Sequence, residues 1–358
     1  MKRLVVCCDG TWNSADQQRD GVACPTNVVR LAYRVAKRAG PVPQIVYYDQ
    51  GVGTGNALDR LSGGALGEGL EDNIHDAYRF LVGNYEPGDE LFVFGFSRGA
   101  FTARSIVGMI RKCGILGRGA VHRYHAAREL YRNGEGPDDA GPTAFRASHS
   151  VTGAEPIPVR FIGVWDTVGA LGIPLRGLRG LTRGKYQFHD TELSATVQHA
   201  CHALAIDEHR APFEPTLWSY VPKPGQTVEQ VWFAGAHSDV GGGYAPPCAS
   251  DIPLAWMLDR ARTAGLELDA SAISAYPLAL EPSAPLHDSK TGFYAVTPGI
   301  DRPIGLAARD PAHPDAPRGP DPTQSVHASV RERWDKDPAY RPAELRAYFQ
   351  RTGDPRGR

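Results

Sequence analysis

A serine, an aspartate and a histidine lie at or just beyond the ends of three apolar runs, in that order along the chain. Ser97 is the centre of a Gly-x-Ser-x-Gly motif at positions 95–99, and Asp166 and His237 follow two later runs. A serine hydroxyl is a poor nucleophile at neutral pH. It needs a base, and the base needs an acid that orients it. The pattern therefore predicts nucleophilic catalysis by Ser97, with His237 as the base and Asp166 as the acid.

The residues around Ser97 predict a sharp turn between a strand and a helix. Residues 91–94 are all apolar, as in a strand buried on both faces, and residues 98–112 carry apolar residues at helical spacing. Such a turn is the nucleophile elbow of α/β-hydrolases. Side chains at Gly95 and Gly99 would collide with the neighbouring strand and helix. The alternative is an ordinary strand–turn–helix whose serine is inert.

Backbone N–H groups near the serine are expected to form an oxyanion hole. The first candidate donor is the N–H of Arg98, and the second is the N–H of Gly10 or Thr11, after the first predicted strand. The side chains of Arg98 and Arg104 could meet a substrate phosphate or carboxylate, or could pair with an acid of the protein.

Other polar residues leave alternatives open. His287 is a second candidate for the base, and Asp239 and Asp9 could also act as bases or support the site. Asp9, Asp166, His237 and Asp239 could together bind a divalent ion, which would make the protein a metal-dependent phosphoesterase. A metal site would leave the Gly-x-Ser-x-Gly motif unexplained, and there is no His-x-x-x-His pair on a predicted helix. We therefore expect no metal.

No cofactor is predicted either. The chain has no Gly-x-x-x-x-Gly-Lys-Ser/Thr motif, and the glycines at 51–55 miss the Gly-x-Gly-x-x-Gly spacing of dinucleotide sites. The formal net charge of -1 gives no electrostatic reason to expect nucleic acid or an anionic membrane as partner.

The sequence predicts a cytoplasmic protein. Its N-terminal apolar run is too short for a signal peptide, and no stretch approaches the roughly 20 apolar residues of a membrane span. Export by a leaderless secretion system is left open. The 6 cysteines show no Cys-x-x-Cys spacing, so we expect buried free thiols in a reducing compartment, with Cys7 and Cys8 on opposite faces of one strand.

Alternating strand and helix signals predict an α/β fold, a mostly parallel sheet with helices on both faces. We expect a single domain over 1–358, with an irregular C-terminal region at 276–358 that wraps the core. The predicted segments are strands at 3–8, 44–49, 90–95, 158–165 and 229–235; helices at 26–38, 68–85, 98–112, 121–132, 191–206, 252–265 and 329–350; a surface loop at 133–157; and a glycine-rich loop at 51–69 beside a cleft.

Several motifs in order resemble one bacterial family. The chain is similar, over about residues 1–290, to the α/β-hydrolase domain of unknown function found in one class of type VI secretion phospholipase effectors. The resemblance implies an α/β-hydrolase fold and an esterase or phospholipase triad of Ser97, Asp166 and His237. It rests on Cys-Asp-Gly-Thr-Trp-Asn at 8–13, Thr-Asn-Val at 26–28, Tyr-Tyr-Asp-Gln-Gly-Val-Gly-Thr at 47–54, Gly-Phe-Ser-Arg-Gly-Ala-Phe-Thr-Ala-Arg at 95–104, Val-Trp-Asp-Thr-Val-Gly at 164–169 and His-Ser-Asp-Val-Gly-Gly-Gly-Tyr at 237–244.

The predicted function is a serine hydrolase that cleaves small-molecule or lipid carboxylic esters through an acyl-enzyme. Two alternatives remain: a metal-dependent phosphoesterase that uses the strand-end aspartates, and a non-catalytic binding module on a hydrolase scaffold.

Overall fold

The structure of the chain is a computed structural model. It describes residues 1–51, 63–169, 193–219, 223–308, 313 and 316–357. The predicted glycine-rich loop at 51–69 falls largely outside the described residues, and a helix begins at Gly63.

A mostly parallel sheet forms the centre of the molecule. Its described strands run in the order β10-β9-β8-β7-β6-β1-β5-β4, and only the edge pair β4–β5 is antiparallel. A separate short hairpin is made of β2 and β3. The strands are β1 (Arg3–Cys8), β2 (Gln18–Arg19), β3 (Val22–Ala23), β4 (Arg38–Ala39), β5 (Val42–Asp49), β6 (Glu90–Phe96), β7 (Val159–Trp165), β8 (Val197–Ala205), β9 (Thr227–Phe233) and β10 (Gln324–Val326).

Helices connect and flank the strands. The α-helices are α1 (Asn27–Ala32), α2 (Gly63–Asn84), α3 (Arg98–Cys113), α4 (Tyr124–Arg132), α5 (Ala140–His149), α6 (His237–Gly241), α7 (Cys248–Thr263), α8 (Ala270–Ala275), α9 (Ala328–Lys336) and α10 (Ala343–Thr352). Short 3₁₀ helices cover Arg118–Arg123, Ala211–Phe213, Gly292–Val296 and Pro355–Gly357. Within the described part of the chain, no helix combines the length and the apolar character needed to cross a membrane.

The two faces of the sheet carry separate hydrophobic cores, as alternation along β1 illustrates. Leu4 and Cys8 pack into the core that includes α2, α3 and α4, whereas Val5 and Cys7 pack into the core that includes α1 and α7. All 6 cysteines are free, and all but Cys248 are buried, in agreement with the predicted thiols. A third core joins α9 and α10 to β9 and the end of β8.

The order of the strands explains where a site can form. From β1 the chain moves to β5 on one side, and from β6 it moves to β7 on the other. Ligands of open parallel sheets bind at such a reversal, beyond the carboxyl ends of the strands. The register aligns Cys8 with Gly95 and Phe96 with Trp165, so the residues that follow β1, β6 and β7 meet at one edge.

The mostly parallel α/β sheet confirms the predicted fold class, and each of the 5 predicted strands is found to within two residues at either end. The helix predicted at 191–206 is wrong, because Val197–Ala205 forms β8 between β7 and β9. Its alanines favour a helix locally, but pairing on both edges and burial on both faces decide the outcome.

Two further predictions in the second half of the chain are corrected. The segment 133–157 is not simply a loop, because it contains α5. The helix predicted over 329–350 is two helices, α9 and α10, since Pro338 and Pro342 interrupt the segment and proline cannot donate the backbone hydrogen bond that a helix requires. The helix predicted at 26–38 ends at Ala32.

Candidate active site

Ser97 occupies the turn between β6 and α3 in a conformation that few non-glycine residues adopt. Its φ is 59° and its ψ is -123°. Its N–H donates to the carbonyl of Trp165 at 3.0 Å, which ties the turn to the end of β7. The residue is 7% exposed. A strained, nearly enclosed serine of this kind costs folding energy and is typical of functional positions.

The glycines on either side make this turn sterically feasible. A Cβ on Gly95 would lie 2.4 Å from the carbonyl oxygen of Gly99, and a Cβ on Gly99 would lie 2.3 Å from the carbonyl oxygen of Cys8. Both distances are far below van der Waals contact, so the predicted collisions with the following helix and with the neighbouring strand are confirmed.

Asp166 and His237 meet at the ends of β7 and β9. His237 Nδ1 lies 2.6 Å from Asp166 Oδ2. Asp166 is fully buried and His237 is 4% exposed. Because a carboxylate accepts hydrogen bonds, the proton between the two groups is carried by Nδ1. In the neutral imidazole, Nε2 then has a free lone pair. Nε2 is buried and has no hydrogen-bond partner among the described residues, Ser97 included.

Aromatic rings hold the imidazole in place. The ring of Phe96 lies 4.6 Å from the ring of His237, and the ring of Phe213 lies 4.9 Å from it, both between centroids. Phe96 is the residue immediately before Ser97, so the strand that carries the serine also packs against the histidine. The structure thus brings Ser97, His237 and Asp166 to one location.

Arg302 completes the surroundings of Asp166, and no motif or pattern in the sequence pointed to this residue. Its Nη1 and Nη2 donate to Asp166 Oδ1 and Oδ2 at 2.7 and 3.1 Å, and Nη1 also donates to the carbonyl of Ala205 at 2.8 Å. Burial alone would raise the pKa of Asp166, but the Arg302 guanidinium and the bond to His237 outweigh burial and hold that pKa well below its usual range. Asp166 is therefore ionised at neutral pH.

The loop after β1 lies beside the serine. A Cβ on Gly10 would lie 3.1 Å from the Cβ of Ser97. The Gly10 N–H already donates to Asp9 Oδ1 at 2.7 Å. Of the two N–H groups predicted to share an oxyanion with Arg98, that of Gly10 is therefore already engaged. The Arg98 N–H belongs to the first turn of α3, where N–H groups have no partner inside the helix.

Asp9 organises this loop. Its Oδ2 accepts hydrogen bonds from Thr26 Oγ1 and Tyr48 OH, both at 2.8 Å. Thr26 also caps α1 by accepting the N–H of Val29 at 3.3 Å. Burial raises the pKa of Asp9 to about 6, against the effect of these hydrogen bonds. Its carboxyl group thus links the loop to β5 and α1.

The second candidate base, His287, binds a different acid. His287 Nδ1 lies 2.7 Å from Asp239 Oδ1, and the His287 N–H donates to Asp239 Oδ2 at 3.0 Å. The same Oδ2 accepts the N–H of Ala236 at 3.0 Å. The imidazole stacks on Tyr244 with 4.0 Å between ring centroids. Asp239 and His287 therefore join α6 to the C-terminal region.

Of the four residues considered as metal ligands, Asp166 and His237 contact each other, whereas Asp239 binds His287 and Asp9 binds Thr26 and Tyr48. In the described part of the chain, no group of 3 or more His, Cys, Asp or Glu side chains is placed to hold a metal ion.

The parallel sheet, with Ser97 on a strained turn at its reversal point, defines an α/β-hydrolase-like protein. Residues 2–260 match the model of the family described as "T6SS, Phospholipase effector Tle1-like, catalytic domain". The chain belongs to this family.

Three relatives illustrate the range of the similarity. The uncharacterized protein YEL023C of Saccharomyces cerevisiae is 29% identical over 245 residues, which are 62% of this chain and 34% of the yeast protein. An uncharacterized protein from Pseudomonas aeruginosa has a TM-score of 0.48 at 18% identity, over 75% of this chain and 46% of the other. The Tle1 effector bound to the VgrG spike of the type 6 secretion system has a TM-score of 0.35 at 23% identity, over 68% of this chain and 51% of the other. The chain thus spans about a third to a half of the length of these relatives.

Proposed function

We propose that the chain is a serine hydrolase that cleaves carboxylic esters, phospholipid esters among them, through an acyl-enzyme. The observation that carries the proposal is the buried pair of His237 and Asp166: its Nε2 has no partner among the described residues, and its imidazole packs on Phe96, the residue before Ser97. A histidine with one ring nitrogen fixed by an ionised acid and the other unpartnered is suited to accept a proton. Membership of a phospholipase family supports the same class of reaction.

In the proposed reaction, Ser97 Oγ attacks the carbonyl carbon of the ester while His237 Nε2 takes the hydroxyl proton. The tetrahedral intermediate collapses, the bond to the alcohol breaks, and the protonated imidazole returns its proton to the leaving alcohol. Water then repeats the sequence on the acyl group and frees Ser97. Asp166 holds Nδ1–H and stabilises the imidazolium, and Arg302 keeps Asp166 ionised throughout.

The negative charge that develops on the carbonyl oxygen needs fixed donors. We assign this role to the backbone N–H groups of Arg98 and Thr11, since the Gly10 N–H is engaged by Asp9. Loss of one such donor typically costs about 2.7–4 kcal/mol in the barrier.

We further propose that residues 1–358 act as one domain. β10 extends the sheet by pairing with β9, and Arg302 reaches Asp166 across 136 positions of sequence. The C-terminal region thus supplies a residue that contacts the proposed triad.

The test is the Ser97→Ala variant, assayed with a short-chain nitrophenyl ester and with a fluorophosphonate probe that labels activated serines. We expect both turnover and labelling to be lost with the fold intact. Ser105→Ala is the matched control, because Ser105 lies in α3, the helix that follows Ser97, and its hydroxyl donates to the carbonyl of Phe101 at 2.7 Å. This control should retain both.

Other outcomes would point to the alternatives. Full activity in Ser97→Ala would contradict the triad. Loss of activity with a chelator, together with indifference to the probe, would favour a metal-dependent phosphoesterase. Folded wild-type protein that neither labels nor turns over ester would indicate a binding module.

A further inference from the structure

The guanidinium of Arg98 differs from those of two other arginines around the site. Arg302 and Arg210 each pair with a carboxylate, of Asp166 and Glu208. The described residues include no carboxylate that pairs with Arg98; its guanidinium carbon lies instead 5.2 Å from the ring centroid of Trp12.

Arg98 is charged although no carboxylate among the described residues pairs with it. Burial lowers the pKa of Arg98 to about 10, against a small opposite effect of Tyr294, so the group is still a cation at neutral pH. A desolvated cation with no acid partner is costly unless it serves a purpose.

Trp12 is held where it can support this cation. The Asn13 N–H donates to the Gly10 carbonyl at 3.0 Å, which closes a turn with Trp12 as its third residue. Trp12 has a φ of 67° and is 50% exposed. A large aromatic residue rarely adopts this backbone conformation. An arginine that stacks on an indole uses the face of its guanidinium, so its N–H donors, which lie in the plane, remain available.

The position of the pair relative to the serine indicates the ligand. Arg98 is the residue after Ser97, and Trp12 belongs to the same loop as Gly10, whose Cβ position is 3.1 Å from the Cβ of Ser97. Two buried polar atoms in this region also have no partner among the described residues, His237 Nε2 and Thr11 Oγ1. The residues are 4% and 8% exposed, respectively. When the ester carbonyl of a substrate lies at Ser97, a charged group close to that carbonyl is therefore expected near Arg98, the residue that follows the serine.

We propose that Arg98, supported by Trp12, binds an oxyanion carried by the ester substrate close to the scissile carbonyl, such as a phosphodiester or a carboxylate. The proposal rests on the proposed esterase function and adds to it a residue that determines specificity. The planar guanidinium can donate two parallel hydrogen bonds to such a group. Substrates with an anion one glycerol unit from the ester are thus preferred over neutral esters of the same acyl chain.

The experiment compares three soluble esters with identical acyl chains: dihexanoyl phosphatidylglycerol, the hemisuccinate of dihexanoylglycerol, and neutral dihexanoylglycerol. The readout is kcat/KM for each ester, expressed as the ratio of each anionic ester to the neutral ester. In Arg98→Gln we expect this ratio to fall about 10- to 100-fold, the value of a hydrogen bond to a charged group. The phosphodiester and carboxylate arms show which oxyanion the site prefers.

Two further variants make the test decisive. Trp12→Leu should lower the same ratio by about 2- to 10-fold, as expected for a lost cation–π contact, and it decides the matter if Arg98→Gln does not fold. Arg260→Gln is the control, because Arg260 also lies over a tryptophan, Trp256 at 5.9 Å, but pairs with Glu229. Its ratio should equal that of the wild type.

Failure of this proposal differs from failure of the proposed function. If Arg98→Gln keeps the wild-type ratio, or loses activity equally on all three esters, the oxyanion site is overturned while hydrolysis that depends on Ser97 still stands. If wild-type protein hydrolyses none of the esters and is not labelled by a fluorophosphonate, the esterase function fails and the site fails with it.

Discussion

The molecule contains two histidine–aspartate pairs whose bond lengths are nearly the same and whose surroundings are not. His237 and Asp166 are joined at 2.6 Å, and His287 and Asp239 at 2.7 Å. The first pair is buried, with side-chain exposures of 5% and 0%, whereas the His287 side chain is 37% exposed. Among the described residues, an arginine, Arg302, binds the first carboxylate and none binds the second. The length of the histidine–aspartate bond therefore does not distinguish His237, the proposed base, from His287, which joins two segments of the chain.

The carboxylates also divide their remaining hydrogen bonds differently. Asp166 accepts a hydrogen bond from the backbone N–H of Ala205 at 3.1 Å, and its other hydrogen bonds come from the Arg302 guanidinium and the His237 imidazole. Asp239 accepts two backbone N–H groups as well as the ring of His287. Asp239 thus fixes the chain at the start of α6, and α6 begins at His237. The second pair supports the first by holding its helix in place.

Removing each imidazole in turn tests the difference between the two pairs with the largest expected effect. His237→Ala should lower kcat/KM for a neutral nitrophenyl ester by about 10⁶-fold, because it removes the proton acceptor of the proposed triad. His287→Ala should lower it by at most about tenfold, the effect of one displaced hydrogen bond. Circular dichroism of both variants verifies the fold. A folded His287→Ala variant as inactive as His237→Ala would transfer the role of base to His287.

The second prediction concerns Arg302, the feature that separates the two acids. Arg302→Met removes the cation that holds the pKa of Asp166 down, so burial dominates and that pKa rises. The acid limb of the pH profile of kcat/KM should move to higher pH. A depressed carboxyl pKa contributes stability above its unfolded value of about 3.9, and this contribution is lost as pH falls through the folded pKa. The variant loses the contribution at neutral pH as well, and breaking such a buried pair costs about 3–5 kcal/mol in unfolding free energy.

Arg30→Met provides the control for this effect. Arg30 pairs with Asp251 at a buried position between α1 and α7, and its other side-chain hydrogen bonds go to Asn27 and Ser250. Its loss should lower the urea midpoint but leave the acid limb of kcat/KM unchanged. An acid limb that stays in place in Arg302→Met as well would show that Arg302 does not control the ionisation of Asp166.

The residues of this comparison were not equally predictable from the sequence. Ser97, Asp166 and His237 each follow an apolar strand, and parallel strands present their carboxyl ends at one edge of a sheet, so local pattern and a general rule together suggest their proximity. Arg302 lies in a proline-rich segment with no periodicity, and its contact with Asp166 spans 136 positions. No local signal encodes a contact of that kind.

The errors in secondary structure have a related cause. The residues of β8 include 3 alanines and favour a helix on local propensity, but pairing with β7 on one edge and β9 on the other makes them a strand. Central strands of a parallel sheet lack the polar–apolar alternation that marks exposed sheets. The break between α9 and α10 was, by contrast, visible in Pro338 and Pro342, and reading those prolines as helix breakers would have corrected the prediction.

The smallest expected effect is the coupling free energy between Asp239 and His287, which measures the second pair directly. In a double-mutant cycle of Asp239→Ala and His287→Ala, urea unfolding should give a coupling free energy of about 0.5–1.5 kcal/mol, the usual range for one hydrogen bond. Solvent around the half-exposed imidazole screens any charge on it and keeps the value low. Asp239→Ala alone should cost more than this coupling, because it also leaves two backbone N–H groups without their acceptor. A coupling as large as the loss in Arg302→Met would mean that the two pairs are equally tight. Burial and the arginine would then not explain why one histidine is suited to catalysis and the other to holding α6.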